Sequence, residues 1–381
     1  MAHTVGVVGA SGYGGAELLR LLGGHPALEV AVVAAHRQVG ESVAQLFPNL
    51  DDDAVFVTPE VEALADCDLI FLATPHAAAM ELAGALHETG TPVVDLSAAF
   101  RLDPADFAVW YGESHLHPDL APRTGGTSGS RTRPPRGLVS PRPPGLQSFP
   151  GQPKTAPAQG APAVYGLSEW NRPAIRGATI VANPGCYPTA ALLALLPLAE
   201  LVLPGTIVVD AKSGTSGAGR RLQESLHHPH VHDDVAAYGA PTHRHTIEIE
   251  RWLDEFGGWE LGPVSFTPHL VPMARGLLAT CYAQLRENIT PAEVTAALAD
   301  RYAGEPFVRV LPPGRFPHTK ALTGCNGCQI SAVVDERTHR VVVTSAIDNL
   351  GKGAAGQALQ NANLLLGLEE ALGLTAVGVY P

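Results

Sequence analysis

The chain has 381 residues, more than one hydrophobic core usually serves, so two domains are expected. Its formal net charge of −12 argues against a nucleic-acid or anionic-membrane partner. Five scattered cysteines, with no signal peptide and no long apolar span, point to a reducing cytoplasm.

Residues 3–8 are apolar and β-rich, and they run into Gly9-Ala10-Ser11-Gly12-Tyr13-Gly14-Gly15. Residues 16–22 then read as a helix. Glycines at 9, 12 and 15 between a first strand and a first helix are a variant of the dinucleotide fingerprint, which lets backbone approach a pyrophosphate at a helix N-terminus. A second strand, 28–35, ends at His36-Arg37-Gln38. A carboxylate there would hold the ribose hydroxyls of NAD; none is present, and Arg37 suits a 2′-phosphate, so NADP is the expected cofactor. Residues 69–73 and 92–96 read as buried strands with a helix over 77–88 between them. This alternation is that of an α/β fold with a Rossmann-type, doubly wound parallel sheet.

Residues 124–160 are dominated by Pro, Gly, Ser, Thr and Arg and read as a disordered surface insertion that can be removed without loss of fold. Residues 178–182 read as the last strand of the sheet before Cys186. Asn183-Pro184-Gly185-Cys186-Tyr187-Pro188-Thr189 follows, with an apolar helical run over 190–199. A cysteine at such a strand-to-helix turn faces unpaired N–H groups and the positive end of the helix dipole. Both favour thiolate over thiol, which makes Cys186 the candidate nucleophile. Beyond it, 206–211, 262–267, 277–285, 329–334 and 341–347 are strand-like with few helices, which predicts a mixed or antiparallel sheet. A helix over 354–367 closes the chain.

Several polar clusters carry less. Cys325-Asn326-Gly327-Cys328 lacks a second pair at zinc-site spacing, and His227, His228, His230 and His232 with Asp233 and Asp234 read as a solvated loop, so no metal is expected. Ser216 stands in a Gly-rich run that breaks the G-x-S-x-G elbow. His243 and His245 flank Arg244 ahead of Thr246, which reads as a helix N-cap with Glu248 and Glu250 in the first turn. Imidazole titrates near neutrality, as an acid/base beside the sulfur needs, but residues two apart share one face of an extended segment and spacing does not choose between them.

Together these motifs resemble those of the N-acetyl-γ-glutamyl-phosphate reductases. The resemblance is carried by residues 9–15, Asp95-Leu-Ser-Ala-Ala-Phe-Arg101, Tyr165-Gly-Leu-Ser-Glu169, the cysteine motif 183–189, Ser213-Gly-Thr-Ser-Gly-Ala-Gly219, His243-Arg-His245, Pro272-Met-Ala-Arg-Gly276 and Asp348-Asn-Leu-Gly-Lys-Gly353. It covers nearly all of the chain outside 124–160. Ala99 stands where the family carries an acidic residue, and Cys325 where it carries Ser. The resemblance implies NADPH-dependent reduction of an acyl phosphate through a cysteine thioester, the third step of arginine biosynthesis. It implies a cofactor-binding Rossmann domain over 1–185, completed by a C-terminal helix at 350–381. An α+β catalytic and oligomerisation domain like that of glyceraldehyde-3-phosphate dehydrogenase would fill 186–349, in a homodimer or homotetramer. It places the cofactor on Gly9, Ser11, Gly12, Tyr13, Gly14, Gly15, Arg37, Ser213, Gly214 and Asn349. It places substrate on Arg101, Glu169 and Arg275, and favours His243 over His245 as the acid/base. Aspartate-semialdehyde dehydrogenases and reductases of carrier-bound aminoadipyl phosphate share this plan, but the cysteine motif and His243-Arg244-His245 favour the acetylglutamyl enzymes. Intact Cys186 and His243 argue against an NADP-sensing scaffold without turnover.

Overall fold

The computed structural model describes residues 2–50, 52–122, 162–258 and 260–380. The expected insertion at 124–160 lies outside the described residues. In chain order the first half comprises β1 (His3–Val8), α1 (Tyr13–Leu22), β2 (Leu28–Ala34), α2 (Val43–Leu46), α3 (Val61–Ala65), β3 (Leu69–Leu72), α4 (His76–Thr89), β4 (Val93–Asp95), α5 (Pro104–Tyr111), β5 (Val164–Tyr165), α6 (Ser168–Ile175) and β6 (Ile180–Ala182). The second half comprises α7 (Cys186–Leu195), β7 (Val208–Ser213), α8 (His228–Val231), β8 (Ala236–Ala237), α9 (His245–Gly257), β9 (Ser265–Leu270), β10 (Leu277–Gln284), α10 (Pro291–Arg301), β11 (Val308–Val310), β12 (Cys328–Asp335), β13 (Arg340–Ile347) and α11 (Gly356–Leu365).

The first sheet is parallel throughout, in the order β2-β1-β3-β4-β6-β5. Its strands are short apolar runs because both faces are covered. Val5, Val7 and Phe71 pack with Leu18 and Leu22 of α1 and with Leu359 and Ala362 of α11. Val8, Ile70 and Leu72 pack with Met80 and Ala83 of α4 and Phe107 of α5 on the other face. β6 is the last strand of this sheet before Cys186, as expected, but not its edge: the two-residue β5 lies outside it, paired Val164 to Val181 and Tyr165 to Ala182. Two residues of strand are too few to leave a periodic signal.

The second sheet has seven strands in the order β11-β12-β13-β10-β7-β9-β8 and is mixed, with parallel β7/β9 and β11/β12 pairs among antiparallel ones. β10 shows why: Leu277, Ala279, Cys281 and Ala283 are buried while Leu278, Thr280, Tyr282 and Gln284 are only half-buried, the period of two that a one-sided sheet demands. The buried side meets Leu192 and Leu195 of α7, Ile249 and Leu253 of α9, and Val294 and Leu298 of α10. Helix α7 is apolar almost all round, and every residue from Tyr187 to Leu195 is buried, packed against the second sheet.

The expected helix at 350–381 is shorter than the sequence suggests. A π-helical turn, Gly351–Ala355, precedes α11, which ends at Leu365; residues 366–380 continue without helix or strand. Repeated Gly, Leu and Ala keep the helical pattern visible there, but Gly367 and Gly373 both take positive φ and break it. Helix α11 packs on the first sheet, so the chain returns to that domain after completing the second.

Candidate active site

Cys186 is the first residue of α7, with Gly185 as an extended N-cap. Its thiol is free. The expected thiolate is not what this environment favours. Burial pushes the thiol up to about 11, against the lowering effect of the Tyr187 and Cys186 N–H groups and of Arg101. Burial is the main cause, and Glu248, a first-turn residue of α9, adds to it. Glu248 is buried, and its Oε1 accepts the Gly185 N–H at 2.9 Å and the Tyr165 hydroxyl at 2.8 Å. A carboxylate thus already holds the anion site at the helix end and adds a negative charge beside the sulfur.

Arg101 completes this base. Its Nε donates to Asn183 O at 2.8 Å, its Nη2 to Leu96 O at 2.7 Å, and its Nη1 reaches Glu248 Oε2 at 3.3 Å. Five donors on a guanidinium leave two N–H groups beyond these three bonds, and the group faces the Cys186 turn. A Cβ built on Gly185 would stand 2.9 Å from Arg101 Nη1 and 2.6 Å from His245 Nε2. Gly185 is therefore the gap through which the cation and the imidazole approach the backbone beside Cys186.

The two histidines separate here. His245 opens α9 beside Gly185, and its Nδ1 is buried with no hydrogen-bond partner among the described residues. The Nδ1 of His243 instead accepts the His245 N–H at 3.1 Å, and its ring packs among Tyr187, Tyr238 and Phe266. His243 thus performs the capping task expected of Thr246, which lies inside the first turn. Burial lowers both histidines to about 3, helped at His243 by His245 and Arg244 and at His245 by Arg101 and Arg244. Both are neutral at pH 7.

Two expected substrate residues are engaged elsewhere. Glu169 is fully enclosed, its Oε1 2.5 Å from Lys352 Nζ in an interior ion pair. Arg275 spends its fork on Glu17 of α1, at 2.9 and 2.7 Å, and its Nε on Asp348 at 2.9 Å. Both side chains are thus held in ion pairs within the chain. Spacing alone shows which groups are charged, not which opposite charges the fold brings to them.

The Gly-rich turn fits a dinucleotide. Gly9 has φ +79°, and a Cβ there would overlap the Ala73 carbonyl; a Cβ on Gly15 would stand 2.5 Å from Ala10 Cα. Gly12 is the N-cap of α1 and no side chain caps that helix, so its first-turn N–H groups, from Tyr13, Gly14 and Gly15, are left for an anion. Arg37 follows β2 on an exposed bend. From the second domain Arg220, unmarked in the sequence reading, donates to Ser11 O at 2.9 Å with its guanidinium over Phe47. Across the cleft, Asn349 Oδ1 accepts the Gly276 N–H at 2.7 Å and its Nδ2 donates to Ser216 Oγ at 2.9 Å. Ser213 and Gly214 lie in the same cluster, the Ser213 hydroxyl donating to Gly214 O. The histidines in and flanking α8 are exposed and stack, His228 on His232 with ring centres 4.7 Å apart.

Residues 4–178 match the model of the semialdehyde dehydrogenase NAD-binding domain, and residues 186–349 that of the semialdehyde dehydrogenase dimerisation domain. N-acetyl-γ-glutamyl-phosphate reductase from Desulforudis audaxviator is 44% identical over 99% of both chains. The chain belongs to the N-acetyl-γ-glutamyl-phosphate reductase family. The enzyme of the same name from Geobacillus stearothermophilus is 42% identical, again over 99% of both chains. The fold is also that of aspartate semialdehyde dehydrogenase II from Vibrio cholerae, with a TM-score of 0.67 at 16% identity over 96% of this chain and 99% of that one. The Candida albicans aspartate semialdehyde dehydrogenase with NADP has a TM-score of 0.60 at 16% identity, over 96% of this chain and 99% of that one. Members of this family are oxidoreductases, and its first domain binds a nicotinamide dinucleotide.

Proposed function

We propose that this chain reduces N-acetyl-L-glutamyl 5-phosphate to N-acetyl-L-glutamate 5-semialdehyde and phosphate through a thioester on Cys186, the third step of arginine biosynthesis. One observation supports this above the rest: a thiol at the start of a buried helix, with a neutral imidazole and a guanidinium meeting at Gly185. His245, whose Nε2 edge stands nearest the Gly185 turn, takes the thiol proton as the sulfur attacks the acyl carbon; phosphate leaves and a thioester remains. This revises the preference for His243, whose Nδ1 is occupied by backbone. The Cys186 and Tyr187 N–H groups face the reacting centre and hold the oxyanion. The spare N–H groups of Arg101 hold the phosphate.

NADPH supplies the hydride when bound. Gly9, Ser11, Gly12, Tyr13, Gly14 and Gly15 would hold its pyrophosphate, Arg37 its 2′-phosphate, and Ser213, Gly214 and Asn349 its nicotinamide end. The half-buried face of the second sheet, with Leu278, Thr280 and Tyr282, suits a homodimer. Five free thiols suit a reducing cytoplasm. Among the described residues no helix is long and apolar enough to cross a membrane.

The test is phosphate-dependent reduction of NADP with N-acetylglutamate semialdehyde, by the wild type and by Cys186→Ser. The variant is expected to bind NADP and lose turnover. Residual activity above a few per cent of wild type would sink the covalent route, and a preference for aspartate semialdehyde would sink the substrate assignment.

A further inference from the structure

The ion pair between Glu169 and Lys352 is the most enclosed in the molecule's described part: both side chains are 0% exposed. Lys352 Nζ also donates to Gln360 Oε1 at 2.6 Å and lies 5.7 Å from the centre of the Phe307 ring. Gln360 Nε2 reaches back to Glu169 Oε1 at 3.2 Å, while Glu169 Oε2 has no partner. Stripping two charges of water is costly, and apolar replacements of such pairs are often as stable or more so. Stability alone therefore does not account for this pair.

Its location does. Lys352 sits inside the π-helical turn Gly351–Ala355, in which Gly353 N–H donates to Asp348 O at 2.9 Å and Ala355 N–H to Leu350 O at 2.8 Å, each five residues back. Such turns are rare and recur at functional sites. The next residue, Gly353, packs directly on the nucleophile: a Cβ there would stand 2.8 Å from Cys186 Cβ and 3.2 Å from Ile347 Cδ1. Ala354 O accepts Asn183 Nδ2 at 3.1 Å, and Asn183 Oδ1 accepts Asn361 Nδ2 at 3.1 Å. The turn therefore touches the cysteine loop at both ends, while Lys352 itself points away into the pair.

We propose that Glu169 and Lys352 are positioning residues: their pair locks the π-helical turn, and Gly353 of that turn fixes where Cys186 stands. This rests on Cys186 as the nucleophile. Lys352 acts through backbone rather than through its charge on the sulfur, so the pair governs rate rather than cofactor affinity.

The experiment compares Lys352→Met, the double variant Glu169→Gln with Lys352→Met, and Gly353→Ala in the full-length chain. The readouts are kcat, KM for each substrate, melting temperature, and the pH profile of Cys186 alkylation by iodoacetamide. Misplacing a reacting group by about 1 Å costs on the order of a hundredfold in rate. The double variant is expected to melt above Lys352→Met, because no charge is left unpaired, yet to keep a kcat about a hundredfold below wild type with KM for NADPH within about twofold. Gly353→Ala, which leaves the pair intact, is expected to show the same kcat loss and a displaced alkylation profile. A folded double variant with wild-type kcat and alkylation overturns the proposal. If the charge variants do not fold, wild-type kcat in Gly353→Ala overturns it. Turnover by Cys186→Ser would instead overturn the nucleophile assignment; an inactive Cys186→Ser beside a fully active double variant overturns the positioning role alone.

Discussion

At the scale of single residues, the balance at Cys186 is set by what shares the helix end with it. A helix N-terminus and Arg101 favour the thiolate, but burial and the Glu248 carboxylate favour the thiol, and the second pair wins. The free enzyme is therefore expected to react slowly with iodoacetamide at pH 7, with a rate that climbs toward about pH 11. Glu248→Gln keeps an oxygen for the Gly185 N–H and the Tyr165 hydroxyl but removes the charge. The alkylation profile should move to lower pH, since a nearby carboxylate raises a thiol's pKa and Arg101 would then act unopposed. A profile that stays in place or moves up would show that Glu248 does not set the thiol's state. His243 and His245 contribute to acid sensitivity. Their folded-state values, near 3, lie below the ordinary 6.5, so the unfolded chain takes up protons first as the pH falls. Their contribution to stability is complete above about pH 6.5 and is lost progressively down to about 3. A melting temperature that held constant across that window would contradict the burial of these rings.

At the scale of elements, the Gly-rich turn between β1 and α1 is held open by two glycines for different reasons. Gly9 supplies a left-handed φ under the Ala73 carbonyl, whereas Gly15 lets α1 lie against Ala10. Gly9→Ala meets both strain and collision and should destabilise the chain by about 1–3 kcal/mol or more, read as a lower denaturation midpoint. Arg37 lies outside that strain on an exposed bend, so its replacement tests recognition without disturbing the fold. Arg37→Glu should shift the ratio of kcat/KM values from NADP toward NAD, and an unchanged ratio would show that another group reads the 2′-phosphate.

At the scale of the whole molecule, the two domains are joined by charge as well as by α11. Arg275, from the catalytic domain, links Glu17 of α1 to Asp348, and Asp348 also accepts the Gly324, Leu350 and Gly351 N–H groups. Burial alone would raise Glu17, but hydrogen bonds from Arg20 and Arg275 hold it below the ordinary carboxylate value. Its share of stability is therefore present above about pH 4.5 and lost as the pH falls further. Arg275→Ala leaves Glu17 with Arg20 alone and Asp348 with backbone N–H donors alone, and is expected to cost about 1–3 kcal/mol, measured by denaturant unfolding at pH 7. Much of that loss should return at low pH, where the carboxylates are protonated. A substrate-contacting arginine would instead raise KM with little change in stability.

Much of this protein is local, and the sequence determined it. The glycine spacing at 9, 12 and 15, the period of two along β10, and the turn-cysteine-helix order at 183–195 each depend on neighbours within one element. Short-range sterics and hydrophobic periodicity therefore suffice to read them. What the fold alone decided lies between elements distant in sequence. Glu248 reaches Gly185 from 63 residues away, Lys352 reaches Glu169 from 183, and Arg275 reaches Glu17 from 258. A charged residue's role depends on the charge opposite it, and that partner is chosen by packing rather than by spacing. This is why the cysteine turn was legible in the sequence, while the thiol's protonation state and the partners of Glu169 and Arg275 were not.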